Sequence, residues 1–287
     1  GWPVFLASLA GFAWAVVSDW RRGLLLLTFP LLFFAFCANT VPMTRYLNAM
    51  LPSVALAGAF LLVSLSRRLL AERTVLTVLV VLAAIPGLLG TLRTDVFLRQ
   101  ADTRTIAKQF IESHVPAGSS FLVQPYSVPL RQSREALVEA LTANLGSPDR
   151  ASVKFQLQLQ AYPATTPTYR MVYLGDGGMD PDKLYVSPRA FTEADLAPLR
   201  ALKIEYVVMK RHNTDNLAMQ GISAALARHA RLIAQFTPYK PDAGPDVFRR
   251  VAPFLHNTAI RISPELERPG PIVQVWQIEP ASPQPRT

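Results

Sequence analysis

The stretch VLTVLVVLAAIPGLLGTL, Val75 to Leu92, carries no charge from end to end, and its reading decides the fold. A membrane helix needs roughly 17 to 25 predominantly apolar residues, so this run is read as a span. Just beyond it the pattern changes. ADTRTIAKQFIESH, Ala101 to His114, mixes charges with apolar residues and places Ile106, Phe110 and Ile111 on one face of an amphipathic helix. A membrane-type segment therefore gives way to a water-facing one between Leu92 and Ala101.

Working back towards the start, three more uncharged apolar runs precede Val75: Trp2 to Val17, Leu24 to about Ala38, and Leu47 to Leu65. The second is short and carries Pro30, so a kink, or an extension to Val41, is expected. The composition agrees with this division. Of 287 residues 50% are hydrophobic and only 17% charged, where a soluble domain carries about a quarter of its residues as charges. Gly1 to Arg99 holds eight arginines, no lysine and three acids (Asp19, Glu72, Asp95), a net +5 of the total +9. A single soluble domain and a disordered chain are excluded. A disulfide scaffold is excluded as well, because Cys37 is the only cysteine and lies inside an apolar run. The chain starts at Gly1 in an apolar stretch with no basic leader, which is expected of a portion of a longer membrane protein rather than of a signal peptide.

Asp19, Arg21 and Arg22 join the first two runs, and Arg67, Arg68, Glu72 and Arg73 join the last two, whereas Arg45 is the only charge between the second and third. Arginine in short connections is retained on the cytoplasmic side. The expected topology is four spans, residues 1–94, with everything beyond outside the cytoplasm. Residues 95–279 then read as alternating helices and strands: helix over Gln132 to Leu145, Glu193 to Leu202 and Leu217 to Ala230, and strand over Ser120 to Val123, Tyr169 to Leu174, Ile204 to Met209, Leu232 to Phe236 and Ile272 to Ile278. That alternation implies an extracytoplasmic α/β domain with a largely parallel sheet, Rossmann-like and three-layered. Residues 280–287, with three prolines, read as a disordered tail.

Few motifs carry chemistry. Leu174-Gly175-Asp176-Gly177-Gly178 resembles a glycine-rich nucleotide turn without the spacing that opens a helix beneath a pyrophosphate, so a mobile turn is favoured. Asp176, Asp180 and Asp182 are a candidate cation cluster, and Asp180-Pro181-Asp182 has the acid-x-acid form of nucleotide-sugar transferases. A solvated acidic loop is the favoured reading. His114, His212, His229 and His256 are dispersed, so no metal site is expected. No cofactor is expected in this portion of the chain, and a divalent metal in the longer protein is left undetermined. Nucleic acid is a poor partner, since the basic residues do not interleave with aromatics and the membrane-flanking arginines explain the basic balance. Gln124-Pro125-Tyr126-Ser127-Val128-Pro129 follows the first strand, and its two prolines remove amide donors where a dinucleotide phosphate is cradled.

Thr44-Arg45-Tyr46-Leu47-Asn48-Ala49-Met50-Leu51-Pro52 is the most informative stretch. It sets a cation and a phenol where a span meets the outer interface. Two readings stand side by side: an interfacial anchor, or a grip on a lipid-linked phosphate, whose oxygens a guanidinium matches bidentately.

Arg45-Tyr46-Leu47 with Leu51-Pro52, then Asp102-Thr103-Arg104, Phe110-Ile111 and Pro116-Ala117-Gly118-Ser119, resembles the carboxy-terminal part of bacterial membrane glycosyltransferases of the GT-C superfamily. Relatives include the dolichyl-phosphate-mannose protein mannosyltransferases and the lipid A aminoarabinose transferase. The resemblance covers about half the chain and implies sugar transfer from a polyprenyl phosphate on the outer face of a bacterial inner membrane. Its implied partners are the lipid-linked donor, a glycan, lipid or protein acceptor, and membrane lipids. It places the catalytic carboxylate in an outward loop upstream of Gly1, so no catalytic residue is assigned here. Arg45 and Tyr46 become the donor phosphate-binding candidates. The reading that competes with it is a non-catalytic, membrane-tethered binding or assembly module.

Overall fold

The computed structural model of the protein describes residues 2–40, 44–67, 72–161, 166–178, 180–191, 195–211, 217–254 and 262–279. The chain divides into two units, with the boundary after Arg99. The first contains α1 (Trp2–Ser18), α2 (Trp20–Asn39), a short 3-10 turn (Thr44–Met50), α3 (Leu51–Ser66) and α4 (Glu72–Leu98). Asp19 separates α1 from α2 because its side chain caps the second helix, accepting from the backbone N–H groups of Arg21 and Arg22 at 3.1 and 3.3 Å. Pro30 does not break α2, which runs unbroken to Asn39 and takes in Arg21 and Arg22. Val41 lies outside the described residues.

Small residues set the packing of this unit. Ser8, Gly11 and Ala15 are buried on α1, as are Ala57 and Gly58 on α3. A β-carbon on Gly11 would lie 1.9 Å from the Ala57 carbonyl oxygen, and one on Gly23 would lie 2.5 Å from Val16 Cα. Glycine at both positions lets helix backbones approach closely, the usual device of helices packed in lipid. The large side chains point outward: Phe5, Leu9, Val17, Leu25, Leu32, Phe36, Leu56, Leu82 and Leu89 are all exposed. Water does not tolerate so continuous an apolar surface. Three helical stretches are long and apolar enough to cross a membrane, namely Trp20–Asn39, Leu47–Ser66 and the one that begins at Arg73 in α4. The first expected span, α1, is apolar but has 17 residues and falls short of that length. The apolar helix expected to close this region at residue 94 continues through Arg93, Thr94 and Asp95 to Leu98.

The second unit contains α5 (Thr103–His114), β1 (Ser120–Val123), α6 (Arg134–Leu145), α7 (Val153–Gln160), β2 (Arg170–Leu174), β3 (Leu184–Val186), α8 (Ala197–Ala201), β4 (Tyr206–Arg211), α9 (Leu217–His229), β5 (Ala230–Phe236), α10 (Val247–Arg250) and β6 (Ile272–Ile278). Its six strands form one mixed sheet in the order β3-β2-β1-β4-β6-β5. The neighbours from β3 to β4 are parallel, as the alternating pattern predicts. β6 departs from that pattern, lying antiparallel between β4 and β5. The chain leaves β5 and enters β6 at the same edge of the sheet, which an antiparallel pairing allows without a crossover.

Alternate strand residues serve opposite faces. Leu122, Val172, Val207 and Met209 pack with Leu199 of α8 and Ile222 and Leu226 of α9. Phe121, Val123, Val208, Val273 and Val275 pack with Ala107 and Ile111 of α5. β1 is buried along its whole length, as expected of a strand covered on both sides. α6 carries Leu137 and Leu141 against Phe155 of α7. The Glu139 carboxylate on α6 accepts from Arg170 Nε at 2.8 Å and Nη2 at 2.6 Å, while Arg170 Nη1 donates to Ser120 Oγ and the Leu202 carbonyl. One guanidinium thus ties α6 to β1, β2 and the turn after α8. Residues 280–287, expected as a disordered tail, lie outside the described residues, as does the start of the helix expected from Glu193.

Candidate functional site

Arg45 and Tyr46 fall in the 3-10 turn Thr44–Met50, directly ahead of α3, which has Pro52 in its first turn. The backbone therefore sets both at the head of an apolar helix, as the sequence reading requires. Their side chains lie outside the described residues.

In the α/β unit the parallel strands point their carboxyl ends to one edge. In open α/β sheets, ligands bind outside the carboxyl ends where the strand order reverses. Here that point lies between β1 and β4. β1 runs into Gln124, whose N–H donates to Val208 O at 3.0 Å and whose Oε1 accepts from Lys210 N at 2.8 Å. Pro125 and Tyr126 then form a turn closed by Ser127 N donating to Gln124 O at 3.0 Å. Proline followed by a positive φ is the type II pattern. Tyr126 holds φ +64 where glycine is usual, and it is 78% exposed. Lys210 Nζ stands 5.5 Å from the centre of its ring, within cation–π range. The turn thus sets an exposed phenol beside the Lys210 ammonium at the carboxyl edge of the sheet. α6 begins only at Arg134, capped by Ser133, so no helix N-terminus follows β1 directly.

The glycine-rich segment 174–178 leads from the carboxyl end of β2, with Gly177 at φ +90. Of the three acids of the candidate cation cluster, Asp176 and Asp180 are engaged by different partners, and Asp182 accepts at its backbone carbonyl from Gln132 Nε2 at 3.1 Å. Asp176 accepts from Ser187 Oγ. Asp180 accepts from Lys183 Nζ at 2.8 Å and from Tyr185 OH at 3.3 Å, and the lysine's hydrogen bond holds the Asp180 carboxyl below the usual range. Among the described residues no three His, Cys, Asp or Glu side chains gather in the manner of a metal site. His114 stacks on Phe110 with ring centres 4.3 Å apart. Its Nδ1 lies 2.8 Å from Ser113 Oγ and 2.9 Å from Phe110 O, a helix-end arrangement in which Ser113 also donates to Gln109 O. His212 and His256 lie outside the described residues. Cys37 is a buried free thiol.

Two motifs of the family resemblance, Asp102-Thr103-Arg104 and Pro116-Ala117-Gly118-Ser119, have local structural work. Asp102 caps α5 through Arg104 N at 2.8 Å and is bracketed by the Arg104 guanidinium at 2.9 and 2.6 Å. Burial pushes the Asp102 carboxyl up, yet the hydrogen bonds and charge of Arg104 bring it below the usual range. Thr103 is buried and donates to Pro271 O at 2.7 Å. Pro116 to Ser119 turns the chain out of α5, with Gly118 at φ +86 donating to Thr168 O at 2.8 Å.

Sequence reasoning missed a cleft of about 710 Å³ at the carboxyl ends of β4 and β5. Its wall includes Ile106, Arg211, Phe236, Tyr239, Lys240 and Phe248. Burial pushes the Tyr239 phenol up to about 12, and its OH donates to Val251 O at 2.5 Å, so it acts there as a neutral prop. These residues come from α5, β4 and the segment from β5 to α10, and no local pattern brings them together.

No protein-family model, curated protein or solved structure matches the chain. The class defined by the fold is a unit of apolar helices, three of them long enough to cross a membrane, joined to a mixed six-stranded α/β domain.

Proposed function

We propose that the chain is the carboxy-terminal portion of an integral membrane glycosyltransferase of GT-C type, using a polyprenyl-phosphate sugar on the outer side of a bacterial inner membrane. The observation that carries the proposal is the turn Thr44–Met50, which sets Arg45, the only charge between Asn39 and Leu51, at the head of α3. An arginine within a bilayer costs about 2.5–3.5 kcal/mol at the centre and less at the interface, and an anionic donor offsets that cost. Arg45 grips the donor phosphate and Tyr46 lines the cavity beside it.

On this reading α1 is a fourth span. At 1.5 Å per residue its 17 residues come close to the roughly 30 Å of a hydrocarbon core. The α/β unit is Rossmann-like in its parallel half, lies outside the cytoplasm and contacts acceptor. The deciding measurement is transfer from a polyprenyl-phosphate sugar by membranes holding the full-length protein, normalised to inserted protein. Arg45→Ala and Arg45→Lys are both expected to lower the rate at least tenfold, since lysine lacks the bidentate fork. Parental rates in both return Arg45 to an interfacial anchor.

A further inference from the structure

The cleft at the carboxyl ends of β4 and β5 has the volume of a small-molecule site, about 300–1,000 Å³, and an unbalanced charge. Among the described residues Arg211, Lys240 and Arg268 line it against one carboxylate, Glu267. That carboxylate is already bonded to Arg268. Lys240 is close enough to the Glu265 carboxylate to help hold it below the usual range, whereas among the described residues the Arg211 guanidinium is seen only against the Phe248 ring. Arg211 is thus left for an occupant, with Lys240, only partly compensated by a carboxylate outside the cleft lining, beside it.

Phe248 holds one of them in place. The Arg211 guanidinium stands 5.1 Å from the centre of its ring, and Arg249 stands 5.8 Å from the same ring. Cation–π attraction orients a guanidinium without neutralising it, so the donors of Arg211 stay charged and available. The remaining wall is mixed: Ile106, Phe236 and Ile272 are apolar, while Gln235 and Thr237 bring an amide and a hydroxyl from the end of β5. Amide and hydroxyl groups beside an apolar surface suit the hydroxyl groups and C–H faces of a sugar.

We propose that this cleft binds an anionic sugar, a pyranose bearing a phosphate or a carboxylate, with Arg211 and Lys240 on the anion and Thr237 and Gln235 on the hydroxyl groups. The site belongs to the α/β unit and stands whether or not the chain is part of a transferase.

The test is calorimetric titration of the full chain in a sugar-free neutral detergent with four probes: trigalacturonate, glucose 6-phosphate, neutral maltotriose and inorganic phosphate. Saturable binding of trigalacturonate or glucose 6-phosphate is expected, at least tenfold tighter than maltotriose or inorganic phosphate, and which of the two binds identifies the anion. Arg211→Gln and Lys240→Gln should each weaken it at least fivefold with an unchanged thermal midpoint. Thr237→Val leaves the charge in place and should weaken the sugar probe while inorganic phosphate is unaffected. Absence of saturable binding by both anionic sugars, equal binding of maltotriose, phosphate alone binding as tightly, or parental affinity in both charge variants overturns the proposal.

Discussion

Replacing Gly270 with alanine tests how α5 is fastened to the sheet. Gly270 holds φ +107, and its N–H donates to Phe254 O at 3.0 Å. A β-carbon there would lie 2.1 Å from Thr103 Oγ1 and 2.5 Å from Asp102 Oδ1. Neither atom is the loose end of a long side chain. Thr103 is fully buried with its hydroxyl committed to Pro271 O, and Asp102 Oδ1 is the cap of the helix. Three effects therefore combine. The positive φ costs a non-glycine residue about 1 kcal/mol or more, a displaced cap costs about 1 kcal/mol, and a buried carbonyl stripped of its donor costs about 1–3 kcal/mol. Some relaxation at residue 270 is available, so the expected loss is about 3–5 kcal/mol, at the upper end for single substitutions. Asp102→Ala removes the cap and the partly exposed Arg104 pair but introduces no clash, and should cost about 1–2 kcal/mol. Denaturant unfolding of the full chain in detergent, with hydrogen exchange of the α5 amides read by mass spectrometry, measures both. A Gly270→Ala variant within 1 kcal/mol of the parent, or an Asp102→Ala variant as damaged as it, would refute the reasoning.

Two further outcomes follow from packing and from charge. Gly11→Ala places a methyl 1.9 Å from the Ala57 oxygen, forcing α1 and α3 apart, and should destabilise the helical unit by about 1–3 kcal/mol; a variant as heat-stable in detergent as the parent contradicts the close approach. The Arg170 hydrogen bond holds the Glu139 carboxyl below its ordinary 4.5 against the opposing effect of burial. Its stabilisation is fully present above that ordinary value and is lost as pH falls through the lower folded-state value. Because the pair is partly exposed, Glu139→Gln should cost about 1 kcal/mol at neutral pH and nothing once the parent's carboxyl is protonated. A difference that persists unchanged in acid, followed by chemical denaturation across pH, counts against the pair.

How much of this was readable in the sequence depended on whether a segment's partners lie next to it in the chain. Ser120 to Val123 and Ile272 to Ile278 are strands with the expected bounds, because short apolar runs flanked by proline, glycine or polar residues have few alternatives. Leu184–Val186 was missed: three residues show no period and become a strand only by pairing in parallel with β2. α7 was missed for a different reason. VKFQLQLQ alternates with a period of two, which argues for a strand, yet it is a helix that buries Phe155 alone and leaves Val153 74% and Leu157 58% exposed. Packing of Phe155 against Leu137 and Leu141 outweighs the pattern. The same rule governs the sites. The turn around Arg45 is continuous in sequence and its place beside an apolar helix was readable. The cationic cleft depends on strand order: Arg211 at the end of β4 and Phe236 at the end of β5 reach one edge of the sheet with β6 between them, an arrangement that no local sequence pattern fixes.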